Sequence, residues 1–170
     1  MKNRNYIKIV IFSLLTMTIF SSCLKDKTYV DFPNVGASID LPAVAFKGIF
    51  QSITLAASPS PTPYPVLVNV SVPNALTTPV NVVLKVDADA LTNYNVKNNT
   101  AYVLMPAAAF TITNFTATVP ANQTSGSITV NFNTSALPAG NNFVLPLTIV
   151  SSDAGTISQY KTILYNVSVK

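Results

Sequence analysis

The chain has 170 residues, 49% of them apolar and only 9% charged, with a formal net charge of +4; this allows one domain and carries too little charge for a solvated, disordered chain. It contains no His, no Trp, no Glu and a single Cys, which excludes Ser–His–Asp and Cys–His catalysis, an internal disulfide and a multi-cysteine metal site. No catalytic residue, no metal site and no cofactor is expected.

The first element in the chain is a leader. Lys2, Arg4 and Lys8 form a basic start, and Ile9 to Phe20 is an apolar run of signal-peptide size, short for a membrane span. Ser21 and Ser22 follow, then Cys23, the one cysteine. A small residue directly before a lone Cys resembles a bacterial lipobox, with Phe20 standing where Leu is commoner. The resemblance implies cleavage after residue 22 and lipidation of Cys23. Residues 23–27 then read as the lipidated Cys and a charged tether, whose Asp26 resembles part of a surface-export signal. Removing the leader leaves seven Lys against six Asp, so no basic stripe remains to follow a phosphate backbone, and no nucleic-acid partner is expected.

From residue 28 to 170 the chain reads as one all-β domain. Val, Ile, Thr, Phe and Tyr dominate, and five segments alternate with period two. Val66, Val68, Val70 and Val72 share a face; so do Val82, Leu84 and Val86. Ile128, Val130 and Phe132 form a third set, Leu145, Leu147 and Ile149 a fourth. Ile163, Tyr165, Val167 and Val169 form the last. The expected core is Val68, Val70, Leu84, Val86, Ile128, Val130, Leu147, Ile149 and Val167. Ala57–Pro65 reads as a Pro/Ser loop, and turns are expected at Pro73–Asn74, Pro120–Gln123, Pro138–Asn141 and Gly155. Pro146 inside a strand pattern predicts an edge or a bulge. Asp87 begins a helix-tolerant segment, which predicts a short helix over 88–98 crossing from one sheet to the other. Short strands at this spacing predict an antiparallel β-sandwich.

The second half carries a resemblance. KVDADALTNYNVKNNTAYVLMPAAAF at 85–110, VPANQTSGSITVNF at 119–132 and FVLPLTIVSSDAGTIS at 143–158 resemble, in that order, the Bacteroidetes domain of unknown function seventeen-thirty-five. The resemblance implies an immunoglobulin-like β-sandwich, the N-terminal module of surface lipoproteins and glycosidase-like proteins associated with SusC/SusD-type glycan-uptake systems. Members often carry a second domain; as the chain stops at its last strand, that domain is expected to be absent here. The implied place is the outer membrane, lipid-anchored and facing the exterior, with polysaccharide or SusC/SusD-type proteins as partners.

Few residues offer chemistry. Asp87 and Asp89 are the close carboxylate pair; such pairs can hydrolyse glycosides or begin a calcium site, but the reading favoured here is that they serve the N-terminus of the helix. Tyr64, in the expected exposed loop, is the candidate ligand-binding residue, able to stack on a sugar ring. Tyr94 and Tyr102 are expected to pack the helix onto the sandwich instead. Two functional classes remain open: an accessory glycan-binding or scaffold lipoprotein without catalysis, and an adhesion or assembly module that binds a protein, with an edge strand as one means.

Overall fold

The structure is a computed structural model and describes residues 36–137 and 142–170. The leader, Cys23, the tether, residues 28–35 and the Pro138–Asn141 turn lie outside the described residues. Eleven strands are present among the described residues: β1 (Ser38–Asp40), β2 (Phe50–Leu55), β3 (Thr62–Ser71), β4 (Val80–Val86), β5 (Val103–Leu104), β6 (Phe110–Thr111), β7 (Thr116–Val119), β8 (Ser125–Phe132), β9 (Phe143–Ser152), β10 (Thr156–Ile157) and β11 (Thr162–Val169). Two helices join them, α1 (Pro42–Lys47) and α2 (Ala88–Asn98).

The strands form two sheets, as the alternation predicts. One runs β10-β1-β3-β8-β6; the other runs β2-β11-β9-β4-β7, with β5 also on β9. Most pairings are antiparallel, but β1/β10, β2/β11 and β5/β9 are parallel. The first strand of the sandwich is in effect split. β1 pairs with β3 in one sheet, α1 crosses the side of the sandwich, and β2 joins β11 in the other. Leu41 and Val44 at α1 are buried and close that side. Pro42 opens α1, where its missing N–H costs no hydrogen bond.

Eight of the nine expected core residues are buried; Val86 is half-buried at the end of β4. The alternation holds best in β3, where Val66, Val68 and Val70 face inward and Leu67 is 53% exposed. In β9 it fails for a good reason. Val144 through Ile149 are all buried, because one face meets the opposite sheet and the other meets α2. The helix itself spans Ala88–Asn98 as expected. It does not cross between sheets, however: β4 before it and β5 after it lie in the same sheet, and α2 covers that sheet's outer face.

Two proline readings are corrected. Pro146 is in the central strand, between β11 and β4. Its carbonyl accepts from Asp87 N–H, and that of Val144 accepts from Met105 N–H. Its missing donor therefore faces the seam where β4 has ended and β5 has not yet engaged, so no ladder bond is lost. Thr62 to Pro65 belong to β3 rather than to a loop. Val70 N–H donates to Thr124 on the β8 side, so odd-numbered residues of β3 point the other way. β1 pairs only with residues 69–71, and Pro63 and Pro65 face the stretch beyond it. There they block the open edge against stray strands.

Candidate functional site

A concavity lies beside α2. It holds about 350 Å³ and is lined by Ile49, Ala90, Asn93, Tyr94, Lys97, Asn98 and Thr162. The five helical residues fall at i, i+3, i+4, i+7 and i+8, one continuous face of α2. Leu91, one position round, is the anchor: it is buried against Val144 and Leu164 with Phe50, Tyr94 and Tyr102 around it. Phe50 stacks on Tyr94 at 5.4 Å and 17° and meets Tyr102 at 4.7 Å and 36°. Tyr94 and Tyr102 thus seat the helix, as expected, and Tyr94 also reaches the wall of the shelf.

The end of the helix is fixed by Asn95. Its Nδ2 donates to the Tyr102 carbonyl at 2.8 Å, and its Oδ1 accepts from Thr100 Oγ1 at 2.9 Å and from Tyr102 N–H at 3.1 Å. Asn99 ends the helix in the left-handed region at φ 52°, a conformation Asn tolerates better than most side chains. Asn95 has no place in the sequence reading. The signal was the Tyr-Asn pair at 94–95, followed by two further Asn residues at the helix end.

The shelf is mostly apolar, with amide, hydroxyl and ammonium groups but no carboxylate among its lining residues. Asn93 makes no side-chain hydrogen bond among the described residues; Asn98 Nδ2 donates to the Tyr94 carbonyl at 2.8 Å, and Thr162 Oγ1 shares a 3.0 Å hydrogen bond with Thr148 Oγ1. Lys97 lies in the last turn, where its charge suits the helix dipole. Such a wall can hydrogen-bond a neutral, hydroxyl-rich ligand over an apolar floor of Ile49 and Ala90.

The residues singled out from sequence are placed differently. Tyr64 is not in a loop. It lies in β3 and points inward, half-buried, with its ring edge-on to Phe132 at 6.1 Å and to Tyr165 at 5.4 Å. Burial, with Tyr64 beside it, pushes the Tyr165 phenol up. Tyr64 is a core-edge residue and lines none of the shelf. Asp87 occupies the N-cap position of α2, but its side chain makes no capping hydrogen bond. It pairs instead with Lys85 at 3.3 Å. Asp89 is exposed in the first turn, where it favours the helix N-terminus. Among the described residues no three metal-binding side chains cluster, and no helix is long and apolar enough to cross a membrane.

A family model described as a "-like, N-terminal domain" matches residues 47–156, well over half of the chain. The chain belongs to this N-terminal-domain family. No curated protein matches it. Solved structures of Bacteroides proteins share the fold. One is a multidomain Bacteroides ovatus protein that includes the domain of unknown function seventeen-thirty-five, at TM-score 0.63 and 20% identity, covering 79% of this chain and 45% of its own. A second is EndoBT-3987 of Bacteroides thetaiotaomicron, solved with a Man5GlcNAc product, at TM-score 0.58 and 22% identity over 71% of this chain and 28% of that one. A third is an auxiliary nutrient-binding protein of Bacteroides thetaiotaomicron, at TM-score 0.56 and 16% identity over 85% and 48%. The chain spans less than half the length of each.

Proposed function

We propose that the chain is a surface-anchored, non-catalytic Bacteroidetes lipoprotein, an accessory glycan-binding or scaffold component of a polysaccharide-uptake system, and that glycan is held on the α2 shelf. The observation that carries the reading is the shelf itself: Asn93, Asn98, Thr162, Tyr94 and Lys97 beside the apolar Ile49 and Ala90, with no carboxylate in its lining. Sugar hydroxyls suit amide and hydroxyl partners, whereas glycoside hydrolysis needs a placed carboxylate pair. The multidomain Bacteroides ovatus structure supports assignment to the domain of unknown function seventeen-thirty-five. The nutrient-binding and product-bound structures support a glycan partner by analogy of fold. The proposed anchor rests on the lone Cys23 after an apolar leader; the outward-facing position at the outer membrane beside SusC/SusD-type proteins rests on the family resemblance.

Two experiments test this. Polysaccharide affinity gels should retard the purified protein, and Asn93→Ala with Asn98→Ala should abolish the retardation while the unfolding transition stays in place. Equal mobility of both proteins on all gels would overturn the glycan reading. In cells, Cys23→Ala should release the protein from membranes, and protease added to intact cells should remove the wild-type domain. Membrane retention of the variant would refute the anchor, and full protection from protease would refute the outward face. One observation favours the second reading, binding of a protein: an unguarded edge on the second sheet.

A further inference from the structure

The sandwich guards its edges unevenly. β10 and β6 are two residues long. β7 is four residues long, ends at Pro120 and lies close against β8, so that a Cβ on Gly126 would collide with Thr118. The open part of β3 carries Pro63 and Pro65. β2 has none of these protections. It is a six-residue edge strand, FQSITL, with no Pro and no charge, the composition that invites a further strand.

The hydrogen bonds show which groups are open. Leu164 N–H donates to Ile49 and Lys170 N–H to Leu55, so the odd-numbered residues of β2 face β11. The N–H and C=O groups of Phe50, Ser52 and Thr54 face away from the sheet, and none has a backbone partner among the described residues. Just before them two apolar residues are exposed on either side of the exposed Lys47: Phe46 is 87% exposed and Ile49 38%.

We propose that β2 pairs antiparallel with β2 of a second copy of this chain, about a two-fold axis through Ser52. In that register Ser52 faces Ser52, and Phe50 faces Thr54 on each side. All three outward donors and all three outward acceptors are then used by each copy. A two-fold normal to the sheet keeps inner faces together, so Gln51 lies opposite Ile53. The strand is neutral, so like copies meet without charge repulsion. A six-residue self-complementary edge matches the isologous contact a two-fold requires. The two α2 shelves would stand on the same face of one continuous sheet.

The test uses residues 24–170, which contain every described residue. Sedimentation over a concentration series up to about 1 mM should show a monomer–dimer equilibrium. Amide exchange at Phe50, Ser52 and Thr54 should slow at least tenfold as the dimer fills. Ser52→Pro removes one outward N–H without touching a bond to β11, and Ser52→Lys sets two charges on the axis. Both should sediment as monomers at every concentration with unchanged unfolding midpoints. A wild-type chain that stays monomeric throughout would overturn the proposal, as would variants that dimerise like wild type. Slowed exchange at these amides only when another protein is added would assign the edge to a foreign strand instead.

Discussion

Gly126→Ala measures how tightly the two sheets close on the β7/β8 side. Gly126 lies in β8 opposite Val68 of β3. A Cβ there would sit 2.8 Å from the Thr118 carbonyl carbon, closer still to its oxygen, and 3.1 Å from Val119 N. Ordinary carbon contacts are about 3.5–4.0 Å, so a backbone must retreat by several tenths of an ångström. Neither side yields easily. β7 is held by four paired residues on β4 and by Thr118 Oγ1 donating to Asn81 Oδ1 at 2.8 Å. Overpacking of this kind costs about 1–3 kcal/mol. The upper end applies, because backbone meets backbone. Loss of glycine's freedom in the unfolded chain returns about 0.4–1 kcal/mol. The net expectation is a loss of about 2 kcal/mol, read as a lower midpoint in urea at unchanged slope. Gly36→Ala is the control, since nothing lies within 4 Å of its added Cβ. If Gly126→Ala unfolds at the wild-type midpoint, the close approach of β7 and β8 is wrong.

Three further outcomes are expected. Asn95→Ala removes three hydrogen bonds at once and should cost about 2–3 kcal/mol by chemical denaturation; a change below about half a kcal/mol would mean that the 99–102 turn stands without it. Leu147→Ala empties a fully buried position in the central strand and should cost about 2–5 kcal/mol, with a near-neutral result refuting the core assignment. Asp40 at the end of β1 has its carboxyl pushed above the ordinary carboxylate value by burial, so the fold holds its proton better than the unfolded chain does. Its burial therefore lowers stability at neutral pH, and the loss is relieved as pH falls through that raised value toward 3.8. Asp40→Asn should unfold later than wild type at pH 7 and alike near pH 3; a gap that widens on acidification would contradict the burial argument.

What was legible in the sequence is what one face of water makes legible. β3, β4 and β8 each have a wet side for most of their length, and alternation alone finds their inward residues; in β11 it finds Ile163, Tyr165 and Val167 but misses Leu164, buried on the other side against Leu91, and Val169 is exposed. The helix over 88–98 was equally readable, since Asp87 and the loss of period two mark its start. Where a strand is dry on both sides, alternation says nothing. The Leu145 set is legible, but the burial of Val144, Pro146 and Thr148 on the opposite side is not, since it depends on what packs outside the sheet. Tyr64 was misplaced because the prolines around it read as a loop. Their missing donors are harmless on the free flank of β3, a fact that only the short β1 creates. The parallel edge pairings and α1 depend on how the first strand divides between sheets, and no local pattern carries that choice.

The same reasoning accounts for the site. β9 is apolar on both faces, so something must cover it on the outside, and α2 does so through Leu91 and Tyr94 alone. A helix committed to covering the sheet would carry apolar residues at positions 90, 93, 94, 97 and 98, the face next to Leu91. This one carries Asn93, Lys97 and Asn98 there, and the sheet beneath ends in Thr162 and Ile49. The face that could have widened the core is left wet, at the cost of apolar burial that Leu or Ile at 93 and 97 would supply. Replacing Asn93 and Lys97 by Leu should therefore fill the shelf and stabilise the domain by roughly 1–3 kcal/mol, while removing the polar groups a glycan would meet. A double variant that gains stability and loses retention on polysaccharide gels would show that the shelf is kept open for binding. One that gains stability and keeps retention would move the glycan elsewhere on the sandwich.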